Sequence, residues 1–267
     1  MSEHRATQYL INEWGRVDHK NLPPPMSSQQ SDELAHLLID DASDYFGSGV
    51  VSLCDAISSL EAKSWSWASV KLYYSVFYFA RSYLATDGLL FTHLNGRSYW
   101  MRAMRGAVLK GFPSKRAISS ESGKEKKKLS GTHGSVLYML EHNFSHTALV
   151  DQEIDGVYPT QWMMDQREYF NYKKCGFSDP EPPAVLQKVC DLGVRKAVSA
   201  YLEDDYFSLD RDHALLAYPI KFFKETYAQV SGSRSFDVTF FDERKTMMRR
   251  LAKDSSGPLE KVMSYFY

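Results

Sequence analysis

Cysteines are scarce in this sequence, and long apolar runs are missing. The 267 residues include only three cysteines, Cys54, Cys175 and Cys190, and none stands in a Cys-x-x-Cys pair. An odd number with this spacing argues against a disulfide framework and a zinc cluster, so we expect free, buried thiols. No run of about eighteen apolar residues lacks charge, and the segment Met1 to Arg5 lacks the basic-then-apolar order of a secretory signal. The sequence therefore predicts a cytoplasmic protein that does not enter a membrane.

Motifs of several common enzyme classes are also missing. The sequence has no Gly-x-Ser-x-Gly elbow, no phosphate-cradling glycine loop and no His-Glu-x-x-His pair, which leaves no basis for hydrolase, nucleotidase or zinc-protease sites. His142 and His146 are four residues apart, but no predicted helix clearly includes both and no partner completes a metal set. We expect no metal site and no cofactor.

Charge is balanced over the whole chain but not locally. The formal net charge is -1, yet the segment from residue 97 to residue 128 is strongly basic. Its candidates for contact with nucleic-acid phosphates are Arg97, Arg102, Arg105, Lys126, Lys127 and Lys128. Tyr99 and Trp100 lie among the arginines and could stack on unpaired bases, while the phosphate contacts would be salt-sensitive and largely blind to sequence. RNA is therefore a candidate partner, against the plainer alternative that the lysines form an ordinary solvated loop.

The beginning of the chain predicts two helices after an irregular start. Residues 1–30 contain three consecutive prolines and no helical pattern, so we expect an irregular N-terminal arm. Ser31 is the expected N-cap of a helix that ends near Phe46, where Gly47-Ser48-Gly49 interrupts the apolar spacing. A second helix follows over Val50 to Leu60.

The next helix is the most informative segment of the sequence. Residues Trp65 to Ala85 are apolar on nearly all sides of a helix, which is typical of the central helix of a bundle. Arg81 stands where an apolar residue is expected. We therefore expect its guanidinium to pair with a carboxylate or to reach solvent.

The second half of the chain continues with helical patterns separated by loops. The helical candidates cover residues 98–109, 134–142, 161–173 and 183–202, and a long exposed loop is expected over residues 119–131. After Asp210 the sequence pattern changes. Ile220 to Val230 predicts a helix, and residues 236–240 alternate like a short strand. We predict an all-α helical bundle over residues 31–209, followed by a C-terminal extension, residues 210–267, that contains this strand candidate.

Residues Trp67 to Leu84, which read WASVKLYYSVFYFARSYL, resemble the core helix of HEPN-superfamily domains, in which an alanine, a Tyr-Tyr pair and an alanine-rich end recur. The likeness extends from about Leu34 to about Leu202 and implies a HEPN-like bundle. Catalytic members of the superfamily are metal-independent ribonucleases that use an Arg followed, after four to six residues, by a His. HEPN-like domains also commonly pair so that two motifs face each other, so the resemblance implies a homodimer.

The ribonuclease motif is present here only in a degraded form. No His follows any Arg at the required spacing, and the nearest match is Arg167 followed by Tyr172. Tyrosine, with a reference pKa of about 10, is a poor base compared with histidine. Arg167 can still hold a phosphate with two hydrogen bonds, and Tyr172 or Asn171 can donate further ones. In the plainer alternative, Arg167 pairs with Glu168 or Asp165 and the tyrosines only pack.

Three functions follow from these residues. The first is a HEPN-like, non-catalytic component that associates with RNA or with a partner protein in a prokaryotic defence or toxin-antitoxin type system, a context implied by the resemblance alone. The second is an active ribonuclease in which Arg167 works with Tyr172 or with His133, a residue at the start of a predicted helix. The third is an adaptor bundle without a nucleic-acid role, whose C-terminal residues Tyr265 to Tyr267 dock on another protein.

Overall fold

The computed structural model of the chain is mostly helical and carries a small antiparallel sheet. It describes residues 4–15, 22–113, 115–117, 126–128, 131–173, 181–233, 261–262 and 264–266. The prediction of a helical bundle is confirmed at this coarse level. The prediction of an all-α chain is wrong in detail because it missed the strands between residues 89 and 128.

The N-terminal arm is not irregular, because Arg5–Trp14 forms helix α1. The carboxylate of Asp41 accepts hydrogen bonds from the backbone N–H groups of Arg5 and Ala6, each at 3.0 Å. These are two of the N–H groups that the first turn of any helix leaves without a partner. A distant residue therefore stabilises the start of α1. The helix also has a local signal that the prediction overlooked, because Ala6, Leu10 and Trp14 are spaced four residues apart and pack on one face.

Helix α2, Ser28–Glu61, is one continuous helix where the sequence predicted two. Its N-cap is Ser27, four residues before the expected Ser31, and Ser27 and Gln30 form a reciprocal capping box. Gly49 lies inside the helix and does not break it. A Cβ atom at this position would stand 2.5 Å from the ring of Phe79, so the glycine allows helix α3 to approach closely.

Helix α3, Trp65–Thr86, is the centre of the bundle, as the sequence predicted. It packs along α2 and also contacts the later helices α4, α5 and α8, whose bounds are given below. Leu72, Val76, Phe79 and Ala80 are completely buried in this core. The apolar residues on nearly all sides of α3 are thus explained by neighbours on several sides.

An antiparallel sheet follows α3 where a helix was predicted. Strands β1 (Leu89–Leu94) and β2 (Arg97–Arg102) form a hairpin, and β3 (Lys110–Gly111) pairs with β2 at Tyr99 and Trp100. The hairpin turns at Asn95-Gly96, both with positive φ. Asn-Gly between apolar runs is the strongest short hairpin signal, so the prediction of a helix over residues 98–109 is wrong for a reason that the sequence contained.

A second, two-stranded ribbon occupies part of the expected basic loop. Strands β4 (Lys115–Ala117) and β5 (Lys126–Lys128) pair antiparallel. The three consecutive lysines therefore belong to a strand and not to an irregular loop.

The remaining helices mostly follow the predicted positions. Their bounds are α4 Gly131–Asn143, α5 Pro159–Glu168, α6 Ala184–Leu192, α7 Val194–Glu203 and α8 Arg211–Ser231. The predicted helix over residues 183–202 is in fact two helices, because Gly193 adopts a φ of 87° between α6 and α7. Helix α8 packs against α3, and the C-terminal residues 264–266 form a 3-10 turn. The division at residue 210 stays a prediction, and the strand candidate at residues 236–240 lies outside the described residues.

Membrane insertion has no support in the described helices. None of them combines the length and the apolar character that a bilayer span requires.

Candidate functional site

Arg167 lies near the end of α5 with its guanidinium enclosed by tyrosines. Its Cζ atom is 5.3 Å from the ring centroid of Tyr172 and 5.8 Å from those of Tyr73 and Tyr74, and Nη2 donates to the hydroxyl of Tyr74 at 3.4 Å. Nε is buried without a hydrogen-bond partner. We call Arg167, Tyr73, Tyr74, Tyr172 and the nearby His133 the Arg167 cluster.

No carboxylate of the described residues pairs with Arg167. Asp165 accepts a hydrogen bond from Gln161 Nε2 at 2.6 Å, and Glu168 forms no ion pair with the guanidinium. The plainer alternative, in which a neighbouring acid neutralises Arg167, is therefore wrong for this part of the chain. The guanidinium keeps its positive charge and part of its hydrogen-bonding capacity.

A π-helical turn explains how Tyr172 reaches Arg167. The chain continues from α5 into a π-helical segment over Tyr169–Lys173. In an α-helix the neighbours on one face are three or four residues apart, whereas the wider π-helix hydrogen-bonds residues five apart. The separation of five between Arg167 and Tyr172 fits this wider turn. Asn171 is exposed on the same turn, and π-helical turns are frequent at functional sites.

His133 joins the cluster from the first turn of α4. Its Nδ1 atom is 2.8 Å from the hydroxyl of Tyr73, and its ring stacks on Phe77 with 4.2 Å between centroids. Burial, followed by the positive charges of Arg167 and Arg81, lowers the pKa of His133 to about 4. The imidazole is therefore neutral at pH 7. Its ring centroid is 5.7 Å from that of Tyr74, the tyrosine that is hydrogen-bonded to Arg167, so the two residues belong to one cluster.

The surroundings of Arg167 favour the protonated, positively charged form of its side chain. Burial lowers its pKa, but the hydrogen bond to Tyr74 and the adjacent tyrosines outweigh burial, so the net pKa is raised. A cation over aromatic faces is stabilised by the ring quadrupoles. The cluster thus presents a permanent cation beside neutral hydrogen-bonding groups.

A second arginine, Arg81, lies further along α3 in a similar but closed setting. It donates from Nη2 to the hydroxyl of Tyr45, and its Nη1 is 3.3 Å from Nε2 of His4. Its Cζ atom is 4.0 Å from the centroid of the Tyr45 ring. Burial lowers the pKa of Arg81, and within the described ranges no carboxylate forms an ion pair with it. Arg81 therefore adopts neither of the two expected arrangements.

Some basic residues after α3 are exposed, and others already interact with neighbouring residues. Arg97 and Arg105 are exposed, whereas Arg102 forms an ion pair with Asp87 at 2.9 Å. Tyr99 is only 3% exposed, so the prediction that it stacks on bases is wrong. Trp100 is partly buried, with Lys110 Nζ 5.0 Å from its ring centroid.

The register of the β4–β5 ribbon places basic residues opposite each other. Lys115 pairs with Lys128 and Arg116 pairs with Lys127, while Lys126 stands opposite Ala117. The role of Lys126, Lys127 and Lys128 in phosphate contact stays a prediction from the sequence.

Other candidate ligands do not assemble into a site. In the parts of the chain that the structure covers, no group of three or more His, Cys, Asp or Glu residues could hold a metal ion. His142 stacks on Tyr138 with 5.5 Å between centroids. Sequence reasoning missed Tyr73 and Tyr74 as members of the Arg167 cluster. Their hydroxyl groups within an otherwise apolar helix were the available signal.

Comparisons of the chain with protein-family models, with curated proteins and with solved structures find no match. The HEPN-like assignment therefore depends on the residues of α3 and on Arg167 and stays a prediction.

Proposed function

We propose that the protein is a HEPN-like, RNA-associated component whose Arg167 cluster binds a phosphate of the RNA backbone. The observation that carries the proposal is a guanidinium without a carboxylate partner among the described residues, held by tyrosines and still partly open to solvent. A role in a prokaryotic defence or toxin-antitoxin type system comes only from the resemblance of α3.

The chemistry of the cluster suits a phosphate. A guanidinium offers five N–H donors in a planar fork that matches phosphate oxygens, and its faces remain free to stack on aromatic rings. In Arg167 the tyrosine rings are arranged around the cation while Nη2 makes only one long hydrogen bond. Arg97, Arg105 and the β4–β5 ribbon would add contacts that do not depend on base sequence and weaken with salt.

One observation favours a second candidate, a metal-independent ribonuclease. His133 lies in the same cluster as Arg167, with its Nδ1 atom 2.8 Å from the hydroxyl of Tyr73. In this reaction His133 would accept the proton of a ribose 2'-hydroxyl, and the resulting oxygen would attack the adjacent phosphorus. The bond from phosphorus to the 5'-oxygen then breaks, and that oxygen takes a proton from Tyr172 or from water. The products are a 2',3'-cyclic phosphate and a free 5'-hydroxyl, while Arg167 stabilises the charge on phosphorus.

The proposal is tested by measuring fluorescence anisotropy of a labelled RNA at several salt concentrations. Arg167→Ala should weaken binding about tenfold, which corresponds to the loss of about 1.4 kcal/mol. The matched control is Arg211→Ala, which removes an exposed arginine paired with Asp155 at 3.3 Å at the start of α8. Equal affinity of wild type and Arg167→Ala would contradict the proposal.

The same proteins, incubated with an RNA pool in EDTA, separate the candidates. Cleavage that is lost in both Arg167→Ala and His133→Asn would support the ribonuclease, whereas binding without cleavage would support the non-catalytic component. No binding and no cleavage would favour the adaptor. Light scattering at micromolar concentration tests the homodimer that the resemblance implies.

A further inference from the structure

Exposed aromatic rings lie on the two elements that contribute tyrosines to the Arg167 cluster, and phosphate binding alone does not explain them. Tyr172 is 69% exposed, Tyr169 is 48% exposed and Trp67 is 61% exposed. A large ring in solvent loses the benefit of burial, and exposed rings that lie on neighbouring elements beside a cation are typical of a binding surface. Tyr169 and Tyr172 lie on the π-helical turn, and Trp67 lies in the first turn of α3.

The ring of Tyr172 contacts a cation on one side and is open to solvent elsewhere. Its ring is 5.3 Å from Arg167 Cζ on one side, and most of its surface remains open. A guanidinium stacked on a tyrosine leaves the opposite ring face available to a second flat group. In a nucleic acid, the flat group that accompanies each phosphate, attached through the ribose, is a base.

Trp67 extends the same surface along α3. It is seven residues before Tyr74, which places the two residues on one face of the helix about two turns, or ~10.5 Å, apart. Tyr74 is hydrogen-bonded to Arg167. The order along this face is thus an exposed indole, then the cation with its tyrosines, then Tyr172 on the adjacent turn.

We propose that this surface, formed by Trp67, Arg167 and Tyr172, binds single-stranded RNA by stacking unpaired bases on its rings while Arg167 holds the intervening phosphate. The inference depends on the proposed function, because it names the form of RNA that the Arg167 cluster takes. A base inside a duplex already stacks on its neighbours, so only an unpaired base can use both rings. The stacking surface that the sequence assigned to Tyr99 and Trp100 is therefore replaced by one on α3 and the π-helical turn.

The test uses three labelled ligands with the same number of phosphates: a single-stranded oligouridylate, a blunt RNA duplex and an abasic ribose-phosphate oligomer. Wild type should bind the single strand at least about tenfold more tightly than the other two. Tyr172→Ala should lower the affinity for the single strand about tenfold more than the affinities for the other two ligands, because only the single strand loses a stacking contact as well as the support that Tyr172 gives to Arg167. Tyr172→Phe should keep the single-strand affinity, and Trp67→Ala should lower it in the same direction.

Tyr206→Ala is the matched control, since Tyr206 is 81% exposed and its ring contacts Phe207 in the segment between α7 and α8. Equal binding of all three ligands, with binding still dependent on Arg167, would overturn the stacking surface and leave the proposed function intact. Binding of none of the ligands would overturn both. A change in the oligomer mass of Tyr172→Ala without any RNA binding would assign the exposed rings to a protein interface instead.

Discussion

Arg81 and Arg167 are two arginines in similar chemical settings that are covered by different neighbours. Each cation lies over tyrosine rings, each has a neighbouring histidine, and neither has a carboxylate partner in the described part of the chain. Burial lowers the pKa of Arg81, whereas the tyrosines around Arg167 outweigh burial and raise its pKa. The same residue types therefore make a structural contact in one place and a candidate binding site in the other.

Helix α1 accounts for this difference. It brings His4 onto Arg81 and Tyr45, and the ring centroids of His4 and Tyr45 are 4.5 Å apart. The space left beside Arg81 is a cavity of about 10 Å³, lined in part by Thr7 and Asp41, which leaves room for about one water molecule. At Arg167 the covering residue is Tyr172, which is itself mostly in solvent. The residues that cover Arg81 are packed against each other, whereas the residue that covers Arg167 is mostly exposed.

The largest expected contrast is in stability. Arg81→Ala should lower the free energy of unfolding by about 3 kcal/mol, because it removes buried side-chain volume and leaves the Tyr45 hydroxyl without its partner. Arg167→Ala should cost less than about 1 kcal/mol. Urea unfolding followed by circular dichroism measures both values. Arg81→Met, which keeps most of the volume, should cost less than Arg81→Ala, and equal losses for the two alanine variants would contradict the assignment of Arg81 as structural.

A smaller loss of stability is expected when helix α1, which covers Arg81, is released from Asp41. Asp41→Ala removes the acceptor for two N–H groups of α1 and should cost about 1–2 kcal/mol, as the loss of a helix cap does. Hydrogen exchange of residues 5–14 should become faster while exchange in α3 stays slow. Asp41→Asn keeps one acceptor oxygen and serves as the control. Unchanged exchange in α1 would show that Asp41 does not hold this helix.

Acid should destabilise the protein through two histidines, His4 beside Arg81 and His133 in the Arg167 cluster. Burial and neighbouring arginines lower the pKa values of His4 and His133 from 6.5 to about 4. Between these values the unfolded chain binds protons that the folded chain does not, so stability falls as the pH decreases from about 6.5 toward 4. The raised pKa of Asp41, caused first by burial, acts in the opposite direction. Urea midpoints at pH 7, 6 and 5 should fall less steeply in His4→Gln and His133→Gln than in wild type, and parallel profiles would contradict the neutral histidines.

The sequence predicted the parts of the fold that local spacing controls. Helix α3 was predicted almost to its last residue because its apolar spacing has few interruptions. Gly49 was interpreted as a break because a glycine lowers helix propensity, but close contact with Phe79 outweighs that local cost. The β1–β2 hairpin was missed although Asn95-Gly96 signalled it.

The candidate site was only partly predictable from the sequence. Arg167 and Tyr172 are close in sequence and were singled out together, whereas His133 joins them only through tertiary packing. A motif defined by a fixed spacing between Arg and His cannot detect a histidine supplied by another helix. The same reason hides the contact of His4 with Arg81, since α1 and α3 are far apart in the chain.

The smallest expected effect concerns the tyrosine hydroxyl nearest to each arginine. Tyr74→Phe should change the free energy of unfolding by less than about 0.5 kcal/mol, because a hydrogen bond of 3.4 Å to a partly solvated cation is weak. Tyr45→Phe is the matched variant on the closed side and should cost more, since the hydroxyl of Tyr45 serves a guanidinium shielded from water. Both variants keep their rings, so the difference in urea midpoint isolates the two hydroxyl groups. If Tyr74→Phe proved the more costly of the two, the distinction between a closed structural arginine and an open binding arginine would not hold.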